Sequence, residues 1–140
     1  MRFHILDNSM NKAAVTAVLN CNRISSAFGL TLTPEQAAEL IDTRSKALRA
    51  AGRLEFGGGV IEKLVFEFSD SAYIQQSDYA DTMNYLVELF YMFKSASEDK
   101  LNDDELIHFM RDAFERSDGS LELVEGREFE SLLESLKGEK

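Results

Sequence analysis

The sequence predicts an all-α fold, a bundle of five or six helices around one hydrophobic helix at about residues 78–94, and two observations carry that prediction. Capping signals stand at Thr33 and Asn102, followed three residues later by Gln36 and Glu105. In that pattern two side chains satisfy free backbone N–H groups reciprocally at a helix start. The helix that carries Tyr79 to Phe93 is apolar on nearly every side, interrupted only by the narrow strip Asp81, Asn84, Glu88 and Ser95. A helix of that kind belongs at the centre of a bundle. At 140 residues the chain is expected to form one domain over 1–140, large enough to bury its own core.

The elements follow in order. The first helix is expected to start near Asn8 or Ser9, either of which can cap, and to run to about Phe28. Ala14, Ala17, Val18, Cys21, Ile24 and Phe28 fall at helical spacing, so Cys21 reads as core, and Gly29 is placed to end the helix in the left-handed conformation. The second helix has Thr33 as its cap and Pro34 at its first position, and it ends at Ala51 before Gly52. Ala37, Leu40, Ile41 and Leu48 make its buried stripe, with Arg44 either at the stripe's edge or pointing inward.

Residues 53–59 are the least regular: Leu54-Glu55-Phe56 suits a short extended piece, and Gly57-Gly58-Gly59 breaks any pattern. Helical spacing resumes with Val60, Ile61, Leu64, Val65 and Phe68. A loop from Ser69 to Gln76 leads to the central helix, capped by Ser77. A fifth helix starts at Asn102 with Leu106, Phe109, Met110 and Ala113 on its core face. After Ser117-Asp118-Gly119, a last one carries Phe129, Leu132, Leu133 and Leu136 and ends at Gly138.

The net charge of −10 lies mostly in residues 97–140, which hold six basic and fourteen acidic groups. A field of that sign repels phosphate backbones and anionic lipid, so the expected partners exclude nucleic acid and membrane. A lone cysteine, Cys21, cannot form an intramolecular disulfide. Neither a signal-peptide core nor an apolar run of spanning length stands out, and cytoplasmic localisation is expected.

Phe28-Gly29-Leu30, Arg53-Leu54-Glu55-Phe56-Gly57, Glu62-Lys63-Leu64, Asp70-Ser71-Ala72-Tyr73-Ile74, Phe90-Tyr91-Met92-Phe93-Lys94 and Asp103-Asp104-Glu105-Leu106 resemble stretches of an uncharacterised bacterial family of small helical proteins. The resemblance covers most of the chain beyond residue 27. It implies a helical fold and a bacterial origin, and carries over no functional site.

Several constellations fail at named positions. Two turns echo calcium loops, but placing Gly119 at the sixth position puts Phe114 first and Arg116 third, and placing Asp99 there puts Lys94 first and Ala96 third. Neither set supplies the oxygen ligands calcium needs. Glu105 and His108 form one pair of the di-metal carboxylate pattern, while His4 has no glutamate three residues before it. No metal site, cofactor or catalytic residue is assigned, because no histidine or elbow motif is placed to activate a nucleophile. The acidic run Glu122, Glu125 and Glu128 reads as a solvated face.

Two functional readings remain. The first is a non-enzymatic interaction or accessory protein, meeting a protein partner or another copy of itself, with Phe66 and Tyr73 as exposed aromatics for a contact patch. The second is a small anion held at the helix start by Gly58 and Gly59 with Arg53 and Arg44. Against the second stands a plain connector whose arginines pair with Glu39, Asp42 or Glu55.

Overall fold

The computed structural model describes residues 12–53 and 59–138. Asn8, Ser9, His4, the Leu54–Phe56 piece, Gly57 and Gly58 lie outside the described residues. Among the described residues every regular element is helical. Helix α1 covers 12–20, α2 Asn22–Ser25, α3 Pro34–Ala51, α4 Gly59–Phe68, α5 Tyr79–Ala96, α6 Asp103–Arg116, α7 Leu121–Leu123 and α8 Phe129–Gly138. None of them is long and apolar enough to cross a membrane.

The single N-terminal helix expected up to Phe28 is interrupted at Cys21. There the backbone tightens to three-residue bonds, Cys21 N–H to Val18 O and Ile24 N–H to Cys21 O, both at 3.0 Å. The chain then narrows into a 3₁₀ turn over Ser26–Phe28 and ends on Gly29 at φ +79°. Each tightened residue turns the chain further than an α-helical one, so the apolar stripe drifts off the core. Ala14, Val18 and Cys21 are buried as expected, but Ile24 faces outward and Phe28 is 53% exposed, while Ser25 takes the inward position. Burial pushes the Cys21 thiol up to about 11, which keeps it protonated.

Two side-chain amides fix the link to α3. Asn22 donates to Leu32 O (3.0 Å) and accepts from Leu32 N–H (2.9 Å), and Gln76 donates to Thr31 O (3.0 Å) and accepts from Thr31 N–H (2.8 Å). Helix α3 then starts on the expected capping box. Gln36 N–H donates to Thr33 Oγ1 (3.1 Å) and Thr33 N–H to Gln36 Oε1 (2.9 Å), with Pro34 at the first helical position. Asn102 and Glu105 repeat the box on α6 at 2.8 and 2.9 Å. The start of α5 differs from expectation, because Ser77 falls inside a 3₁₀ turn, Gln76–Asp78, that leads directly into the helix.

Helix α5 packs against α3, α4 and α6. Leu86, Val87, Phe90 and Phe93 are buried there, and α8 adds Phe129, stacked on Phe93 with ring centroids 3.8 Å apart. Helices α3 and α5 run in the same direction: Thr43, midway along α3, meets Asn84 in the second turn of α5, and Arg53 meets Asp99 beyond their ends. Helices α4 and α6 are joined by Arg111 of α6, whose Nη1 donates to the Glu67 carbonyl of α4 and reaches Asp70 just beyond it (2.7 Å), while Glu115 on its own helix holds its Nε (3.1 Å).

The last helical segment carries an unexpected feature, a π turn over Val124–Glu128 between α7 and α8. Val124 and Phe129 are both buried yet five residues apart, whereas an α-helix aligns residues three or four apart. The wider turn accommodates the extra residue and keeps both on the core face.

Urea unfolding checks this ranking of contacts. Phe129→Ala should lose about 3–5 kcal/mol through the vacated stack on Phe93, and Thr33→Ala about 1 kcal/mol through the lost cap.

Candidate functional site

The residues expected to form an anion site are not brought together as a free cation cluster. Arg44 lies on the inner face of α3, 4% exposed, which settles its orientation. Arg53, just past α3, engages both carboxylate oxygens of Asp99. Asp99 stands in the left-handed region at φ +59°, where its N–H bonds Lys94 O at 3.1 Å. The hydrogen bonds from Arg53 hold the Asp99 carboxyl below its ordinary range. Gly59 opens α4 at φ +47°. An anion at this corner therefore has to compete with Asp99 for Arg53.

The two turns that echo calcium loops are filled from within the chain. Lys94, nearly buried, places its ammonium 2.7 Å from Leu101 O and 2.8 Å from Asp103 Oδ1. Arg116 is paired with Glu128 at 2.7 Å. His108 sits exposed on α6, 3.6 Å from Glu67 and 3.9 Å from Asp112. Among the described residues no three His, Cys, Asp or Glu side chains converge where they could hold a metal ion.

The expected aromatic patch divides. Tyr73 is 43% exposed, but its ring lies over Gly119, where an added Cβ would come within 2.6 Å of Tyr73 Cβ. Its hydroxyl donates to Asp118 (3.1 Å), and its ring meets Phe114 edge-on. Tyr73 is thus a packing residue at the α6–α7 turn. Phe66, 59% exposed on α4, stands beside Ile24 at one hollow and beside Ile107 and His108 at another of about 540 Å³. Around the latter the charged side chains already answer one another, as in Lys63 to Asp104 at 2.9 Å.

A different surface gathers exposed apolar atoms and unanswered charge. Between α3 and α5 lie two adjoining hollows of about 500 and 490 Å³ that share Glu88 and Met92. The first is floored by Ala47, Ala50 and Ala51 of α3 and by Tyr91 and Met92 of α5. The second is lined by Tyr85 and Leu89 and by four carboxylates, Glu39, Asp81, Glu88 and Glu125. Met92 is 41% exposed. The polar strip of α5, Asp81, Asn84, Glu88 and Ser95, forms the length of this groove. Asn84 is anchored there by a 2.7 Å hydrogen bond from the Thr43 hydroxyl. Glu88 has no hydrogen-bond or ion-pair partner among the described residues.

Glu125 reaches the groove from the π turn and accepts a short hydrogen bond from the Tyr85 hydroxyl. That bond favours the neutral phenol, and Tyr85 is pushed up to about 12. Sequence reading missed Glu39, Met92 and Glu125 as neighbours, although the α5 strip was visible as a pattern.

Fold and site together define a class: an all-α bundle with an acidic, open groove along its central helix. The chain belongs to a family of unknown function, DUF6323, whose family model matches residues 17–140. The match begins ahead of the stretches on which the sequence resemblance rests. Comparisons with curated proteins and with solved structures return no match.

The groove geometry is checked by titrating the tyrosines spectrophotometrically. Glu125→Gln should bring Tyr85 down from about 12 toward its ordinary value near 10. Because the folded value is the higher one, this bond's contribution to stability is complete below pH ~10 and is lost as pH rises toward the folded value.

Proposed function

We propose that this chain is a non-enzymatic protein-interaction domain, working in the cytoplasm, that receives its partner along the α3–α5 groove. The supporting observation is the coincidence, on one face, of an exposed Met92, an alanine floor and four carboxylates that form no ion pair among the described residues. Exposed apolar surface bordered by polar groups is characteristic of recognition surfaces. A long side chain such as Met adapts to different partner shapes. Of the groove hydroxyls, Thr43 bonds Asn84 and the Glu39 carbonyl, and Tyr85 is held as the neutral phenol against Glu125. The groove is open along its length, which suits a macromolecular segment better than an enclosed substrate.

The reading is tested by installing a photo-crosslinking residue at Met92, with a control at exposed Lys137, in the native host. The expected outcome is a discrete adduct, several-fold stronger from position 92 and suppressed when Ala50→Trp fills the groove. Equal adduct patterns from both positions, or an adduct indifferent to Ala50→Trp, contradict it.

A further inference from the structure

We infer that the occupant of the α3–α5 groove is a basic amphipathic helix of about four turns, an inference that rests on the interaction reading above. Length is the first argument. The groove follows α5 from Asp81 to Ser95, fifteen residues whose fourteen rises of about 1.5 Å span about 21 Å. That is the span of four helical turns and exceeds what a small ligand fills.

Surface chemistry is the second. The apolar atoms recur along the groove, Tyr85 at one end, Met92 centrally and Ala47 with Ala51 at the other. A helix presents apolar side chains to such a surface at i, i+3, i+4 and i+7.

Charge is the third and selects the sign. Glu39, Asp81, Glu88 and Glu125 line the groove, whereas its cation among the described residues is Lys46, already 3.0 Å from Asp42. The chain's net charge of −10 adds a long-range field of the same sign. Lysine or arginine flanking the apolar stripe of an incoming helix meets complementary potential, and an acidic helix is repelled.

Panning a randomised library of helical peptides against the full chain tests this, with Ala50→Trp and the double variant Asp81→Lys/Glu88→Lys panned in parallel. Circular dichroism melts confirm that each variant is folded. The expected result is enrichment of peptides with an apolar stripe flanked by Lys or Arg, lost on Ala50→Trp. Their affinity should weaken about tenfold on the double charge reversal, as two exposed charge pairs turn repulsive, and should fall with added salt. Enrichment of neutral or acidic peptides that Ala50→Trp abolishes overturns the basic-helix inference and leaves the groove as an interaction site. No enrichment, or enrichment indifferent to Ala50→Trp, overturns both.

Discussion

Helix α5 is the constraint on which the molecule depends, because its apolar side chains cannot be satisfied by any single neighbour. Leu86, Phe90 and Phe93 recur on one face and the buried Leu89 and Tyr91 lie to either side of it, so the buried arc is wider than one neighbour covers, and α3, α4, α6 and α8 share it. The burial of each such side chain is favourable by about 1.5–3 kcal/mol. The rest of the architecture can be read as what is needed to surround that helix. The capping boxes aim α3 and α6, the Asn22 and Gln76 amides secure the connection ahead of α3, and Arg111 ties α4 to α6.

The same helix has one side that its neighbours leave uncovered, and the groove follows from it. Asp81, Asn84, Glu88 and Ser95 project where α3 and the π turn flank α5 without closing over it. The π turn links core to surface. By keeping both Val124 and Phe129 inward it also sets Glu125 beside Tyr85 at the groove. A structural need of the last helix thus adds one more carboxylate to a surface already acidic.

Much of this was legible in the residues, and the exceptions have physical causes. Thr33 with Gln36 and Asn102 with Glu105 are local patterns whose chemistry is complete within four residues, and both formed as read. The stripes of α3 and α4 matched residue by residue, with Arg44 joining the first inside. The break at Cys21 was not legible, since Asn22 is held by Leu32, a contact ten residues away. The five-residue spacing from Val124 to Phe129 was present in the sequence but meaningful only once Phe93 supplied the ring on which Phe129 stacks. The candidate site divided similarly. The strip on α5 was visible, but Glu39, Ala47 and Glu125 come from other elements, and the pairing of Arg53 with Asp99 spans 46 residues.

The central claim is that α5 combines a buried apolar arc that holds the fold with an exposed polar strip that the fold does not need, which leaves the strip available for the proposed binding. Equilibrium urea unfolding at low salt, comparing Leu86→Ala with the double variant Glu39→Gln/Glu88→Gln, tests that claim. The account predicts a loss of about 2–5 kcal/mol for the buried leucine, and for the double variant no loss or a gain as carboxylate repulsion is relieved. A double variant destabilised as severely as Leu86→Ala would mean that the groove carboxylates hold the fold together, and would contradict the account.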